Sequence, residues 1–167
     1  MIALYKGTSI WPSRIIEFIN WSDYSHASFV HAVTGVCVEA WPGGVQASPN
    51  FGTIHTKGTT VDFFRVLGAT TEQESVAYQY MFDQVGKGYD YMGVLHFVTR
   101  KEGNSQKKWF CSELVFKAYQ QAGINLLERI HPDKVYPGML AYSPRLEYVC
   151  TKKTKGAKPP SGGDQHE

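Results

Sequence analysis

Apolar positions recur along this chain with two periods, and the switches between them divide it into elements. Ile2-Ala3-Leu4-Tyr5 reads as a short opening strand, stopped by Lys6-Gly7-Thr8-Ser9. Pro12 suits the first turn of a helix whose apolar side is Ile15, Ile16, Phe18 and Ile19. After a loop at Trp21 to Ser25, two β-rich runs, His26 to Val33 and Val36 to Trp41, meet around Thr34-Gly35 and predict a hairpin closed by Pro42-Gly43-Gly44. Residues 46–58 are rich in Gly, Ser, Asn and Thr and read as a surface loop, and Thr59 to Leu67 as another strand. Thr71 with Glu74 has the form of a capping box, from which Val76, Ala77, Tyr80, Met81 and Val85 carry a helix to Gly86. Gly88-Tyr89-Asp90-Tyr91 reads as a turn, Met92 to Val98 as a shorter helix, and Arg100 to Lys108 as a polar loop.

The clearest helical pattern is at 109–123. Cys111, Leu114, Val115, Ala118, Tyr119 and Ala122 fall on one face, and Gly123 stands where a C-terminal cap belongs. Beyond it, Pro132, Pro137 and Pro144 break the chain into short pieces, and Leu146 to Cys150 predicts a last edge strand. From Thr151 to Glu167 there is no large apolar residue, so one domain over 1–150 followed by a disordered, basic and polar tail over 151–167 is expected.

Charge adds little. Seventeen Lys and Arg against fifteen Asp and Glu leave a net +2 and no basic footprint, so nucleic acid is not an expected partner. No run approaches the ~18 apolar residues of a membrane span, and no charged segment leads into an apolar stretch at the N-terminus. A transmembrane segment and a signal peptide are therefore not expected. The three cysteines, Cys37, Cys111 and Cys150, match neither a disulfide framework nor a paired zinc site, and point to a reducing, cytoplasmic setting. The six histidines contain no HxxxH pair, so no metal and no cofactor are expected. Of these, His31, His55, His96 and His131 read as ordinary surface or hydrogen-bonded residues.

The candidate chemistry begins at Cys111. A cysteine on an apolar helix face is commonly a small core residue. Its place on the first turn separates it from that class, because free N–H groups and the helix dipole favour a thiolate there and predict a lowered thiol pKa. A thiol nucleophile needs an imidazole as base and a third polar group to hold the ring. His26 opens a predicted strand and Glu39 lies on the returning one. Register decides whether they meet. A two-residue turn at Thr34-Gly35 places Glu39 opposite Val30 and out of reach, whereas a four-residue connection, Ala32 to Gly35, places it opposite Ser28, one diagonal step of about 7 Å from His26. Periodicity does not choose between them. Glu113 reads as a first-turn charge complementing the dipole.

Taken in order, Gly7-Thr8-Ser9, Tyr24-Ser25-His26, Val38-Glu39-Ala40 with Gly43-Gly44-Val45, Gly88-Tyr89-Asp90-Tyr91 and Phe110-Cys111-Ser112-Glu113-Leu114-Val115 resemble the YiiX-like branch of the NlpC-related, circularly permuted papain-like family, over about residues 1–150. The resemblance implies an α+β fold, an antiparallel sheet packed against a helix bearing the cysteine at its N-terminus. It implies Cys111 as nucleophile, His26 as general base and then acid, and Glu39 as the residue orienting the imidazole. One oxyanion donor would be the Cys111 backbone N–H, with Tyr24 and Tyr5 as candidates for a second. The expected activity is that of a cysteine hydrolase, a peptidase or amidase forming a thioacyl intermediate on a peptide, amide or acyl-chain substrate. An acyltransferase on the same site and a catalytically idle binding module are the alternatives.

Overall fold

The computed structural model of the protein describes residues 1–7, 22–89 and 108–156. The helices expected at 12–20 and 92–98, most of the 100–108 loop and residues 157–167 lie outside them.

Strands β1 (Ile2–Lys6), β2 (Tyr24–Val30), β3 (Cys37–Trp41), β4 (Gly44–Ser48), β5 (Thr60–Val66) and β8 (Leu146–Lys153) form one antiparallel sheet in the order β4-β3-β2-β1-β5-β8. Helix α1 (Thr71–Phe82) follows β5, and α2 (Cys111–Gln121) follows the two-residue strands β6 (Gly88–Tyr89) and β7 (Lys108–Trp109). A 3₁₀ turn at Pro132–Lys134 and the short helix α3 (Pro137–Ala141) lead into β8. No helix among the described residues is long and apolar enough to cross a membrane.

Strand alternation gives the sheet two different faces. Ile2, Leu4, Ala27, Phe29, Val38, Ala40, Phe64 and Val66 join the main core with Ala77 and Met81 of α1 and Leu114, Val115, Phe116, Ala118 and Tyr119 of α2. The other face carries Ala3, Tyr5, Val30, Cys37, Val61 and Phe63, with Phe51 of the loop after β4 packed on it. The two helices are also tied by polar contacts, Tyr119 OH donating to Glu74 Oε1 at 2.9 Å and Gln73 Nε2 to the Ala122 carbonyl at 3.1 Å.

Three expectations need correcting. The capping box of α1 sits one residue earlier: Thr70 is the N-cap and Gln73 its reciprocal partner. The loop expected from residue 46 begins instead after Ser48, because β4 pairs along its whole length with β3, from Trp41↔Gly44 to Cys37↔Ser48. The last strand does not stop at Cys150; β8 runs through Thr151 to Lys153, where Lys153 pairs with Thr60, and Thr154 beyond it is buried and donates its N–H to Thr59 O at 2.9 Å. Ladder hydrogen bonds are made by the backbone, so an outer strand persists through side chains that periodicity reads as tail.

Gly44 shows what the β3–β4 turn requires. Its φ is +116°, and a Cβ there would lie 2.6 Å from the Lys87 carbonyl oxygen, which accepts the Val45 N–H at 2.8 Å. Gly44→Ala is expected to cost about 2 kcal/mol or more in urea unfolding, through both backbone strain and the contact with Lys87.

Candidate active site

The hairpin of β2 and β3 resolves the register. Phe29 pairs with Val38 and Val30 with Cys37, and His31 N–H bonds to Val36 O at 2.8 Å around a connection of Ala32 to Gly35. This is the four-residue alternative, and it brings Glu39 alongside Ser28. The β2–β3 ladder ends there, although β1 continues to pair with β2 as far as Tyr24 and β4 with β3 as far as Trp41. Below Phe29 and Val38 the two strands therefore part. The next rung would join Ala27 to Ala40; where the ladder stops, Ala27 and Ala40 pack in one buried cluster with Cys111, the first residue of α2.

The packing of α2 on β2 and β3 brings the nucleophile candidate to the strands that carry His26 and Glu39. The N-terminus of α2 is held there by buried Ser112, whose hydroxyl donates to Val135 O at 2.6 Å, and by Glu113, whose carboxylate accepts the Phe110 N–H at 3.4 Å. Burial pushes the Cys111 thiol up to about 12, against the N–H groups of Ala27, Ser112 and Cys111 itself, which favour the thiolate. The lowered pKa expected from the helix N-terminus is thus reversed in the resting chain. Desolvation of a fully buried sulfur outweighs a few oriented amides.

His26 and Glu39 are in direct contact. His26 Nε2 and Glu39 Oε2 are 2.6 Å apart, and both residues are buried. Burial alone would raise the Glu39 carboxyl, but hydrogen bonds from His26 and from His55 outweigh it and bring it down to about 2. Burial in turn lowers the His26 pKa, with the Glu39 bond opposing. The resting pair is a carboxylate accepting N–H from a neutral imidazole. With the proton on Nε2, the lone pair of His26 is on Nδ1, the nitrogen a general base must use.

The second imidazole was not legible as a site residue. His55, expected to be ordinary, has a fully buried side chain, with Nε2 2.9 Å from the same Oε2 of Glu39. Cys37 Sγ approaches the other oxygen, Oε1, at 3.5 Å. His55 lies in a polar loop with no periodicity, between strands that close on it only in three dimensions, so no local signal marks it. His31 and His131 are of the ordinary kind, His31 Nδ1 accepting Thr34 N–H at 3.2 Å and His131 Nδ1 standing 2.6 Å from Asp133 Oδ1.

His26, Glu39 and His55 also make a donor set for a metal ion, their ligand atoms lying within 4.8 Å of one another. Their separations of 2.6 and 2.9 Å are hydrogen-bond lengths, and His55 Nδ1 has no acceptor to hold the ring in a metal-binding tautomer. The arrangement present is a hydrogen-bonded one. Neither tyrosine proposed as a second oxyanion donor offers its proton: Tyr5 OH donates to Phe51 O at 3.0 Å, and Tyr24 OH to Asp62 Oδ2 at 2.6 Å. Burial and the Asp62 carboxylate both raise the Tyr24 pKa.

An antiparallel sheet carrying a histidine early in the chain, with a cysteine opening a helix late in it, defines the permuted papain-like class of α+β folds. Residues 8–149 match the family described as permuted papain-like amidase enzymes, YaeF/YiiX, C92 family, and the chain belongs to that family. It is a hydrolase of the amidase or peptidase type. No curated protein matches the chain.

Proposed function

We propose that the chain is a cysteine amidase or peptidase in which Cys111, His26 and Glu39 act as a triad. The observation that carries this is the fixed imidazole, His26 Nε2 to Glu39 Oε2 at 2.6 Å, on the two strands against which α2 packs with Cys111 as its first residue. The protonation states decide the order of events. Because the thiol is protonated and the imidazole neutral at rest, His26 Nδ1 takes the Sγ proton as sulfur attacks the substrate carbonyl, rather than before it.

Glu39 then faces a cationic ring, and this charge pair, absent from the ground state, favours the transition state. The backbone N–H of Cys111, at the start of α2, is a donor to the developing oxyanion. His26 returns its proton to the leaving amine, and the C–N bond breaks to leave a thioacyl enzyme. Water deprotonated by the same nitrogen releases the acid and regenerates the thiol. The substrate is thus a peptide or another amide, and the unpaired state of all three cysteines suits a reducing compartment.

Iodoacetamide alkylation followed at each cysteine tests the reading. Cys150 is partly exposed while Cys111 and Cys37 are buried, so accessibility alone ranks Cys150 first. We expect Cys111 to react fastest at neutral pH and His26→Ala to slow it by about a hundredfold, the worth of a positioned general base. A ranking by exposure that ignores His26→Ala would indicate an idle binding module.

A further inference from the structure

We infer that His55 is a positioning residue for the reaction: it fixes the Glu39 carboxylate and shares its charge, so that His26 rests as a neutral base. The inference depends on the triad proposed above.

His55 and His26 present their Nε2 atoms to one oxygen, Glu39 Oε2, at 2.9 and 2.6 Å. The His55 ring stacks on Tyr5, with centroids 4.1 Å apart and planes 23° apart, and makes an edge contact with the Trp41 ring at 4.7 Å between centroids. Tyr5 is itself anchored by Ser28 Oγ at 3.0 Å and the Phe51 carbonyl. The slot therefore holds the imidazole in one orientation. Within it, the ring's second nitrogen, Nδ1, is buried without a partner.

A buried polar atom left unsatisfied is costly, and an apolar side chain would fill an aromatic slot without that cost. The one thing an imidazole adds here is an N–H donated to Glu39. A glutamate has three side-chain torsions, and two donors converging on one oxygen, with the Cys37 thiol at the other, leave it one rotamer. Sharing the charge has a second effect. With His55 removed, the carboxylate turns wholly on His26, and the coupled pair binds its proton more tightly.

Among the described residues, the other titratable groups facing the cluster are Tyr5 from β1, Cys37 from β3 and Cys111 from α2. Burial raises all three, so they stay protonated at neutral pH.

The test compares the pH profiles of Cys111 alkylation by iodoacetamide in the wild type, His55→Phe, His55→Gln and His26→Ala. Phenylalanine keeps the shape and removes the donor; glutamine restores an N–H. The acid limb of His55→Phe is expected to move upward by half to one pH unit, slowing alkylation on that limb about three- to tenfold, while His55→Gln returns it toward the wild type. A His55→Phe profile that superposes on the wild type, or one that glutamine does not restore, overturns the inference even where thermal stability falls.

Should His55→Phe not fold, ¹⁵N-histidine NMR on the unaltered chain decides: His55 and His26 are both expected as Nε2–H tautomers, and an Nδ1–H tautomer at His55 overturns the assignment. His26→Ala separates the two levels. If it leaves Cys111 alkylation unchanged, the triad falls and the role of His55 with it; if it slows alkylation while His55→Phe has no effect, only the role of His55 falls.

Discussion

Cys111→Ala is expected to reduce amide hydrolysis by at least about a thousandfold, measured on any peptide or amide substrate that the wild type turns over. In the proposed triad the sulfur is the bond-forming atom, so its removal should fall on kcat with little change in KM. His26→Ala is expected to cost nearly as much. The thiol it would leave behind, held near 12 by burial, has almost no thiolate at neutral pH and no base to make one. The two losses will not add, because each disables the same step: the double variant should be no slower than either single one. Residual turnover in Cys111→Ala above one part in ten of the wild type would place the reaction elsewhere in the molecule.

Glu39→Leu is expected to lower folding stability by about 3–5 kcal/mol in urea or guanidinium unfolding. The substitution is close in volume, so the cost is not a cavity. It comes from leaving the buried N–H groups of His26 and His55 without their acceptor. Glu39→Gln, which keeps one acceptor oxygen, should cost less.

The pH dependence has a definite sign. Glu39 is held at about 2 against an ordinary 4.5, so its contribution is present above 4.5 and lost as pH falls from there toward 2. His26 is lowered from 6.5, so its neutral burial likewise stabilises above 6.5 and is lost as pH falls below it. Both act in one direction. The wild type should lose about 3 kcal/mol between pH 4.5 and 2 through Glu39 alone, and Glu39→Leu should show a flatter acid limb over that window. An equally steep limb in the variant would mean that other carboxylates govern acid unfolding.

Much of this architecture was legible one residue at a time. The apolar runs at Ile2–Tyr5, His26–Val30 and Thr60–Val66 are strands that bury side chains on both faces of the sheet, and the 3.6-period face of Cys111 to Tyr119 is the buried side of α2; local pattern reports both directly. β4 was missed because Gly44-Val45-Gln46-Ala47-Ser48 holds a single large apolar residue; it is a strand because β3 offers it a ladder. The order of histidine, carboxylate and cysteine could likewise be read, and with it the family.

Three things were settled only by folding. The hairpin register, on which the His26–Glu39 bond depends, turns on a choice between two connections that the residues Ala32 to Gly35 leave open. The sign of the Cys111 shift reverses because the helix N-terminus is a local feature whereas burial is a property of everything packed around it. His55 reaches Glu39 across sixteen residues of chain. Periodicity records which side of an element faces the core, but a contact between two polar atoms depends on the distance across that core, and distance exists only once the sheet has closed.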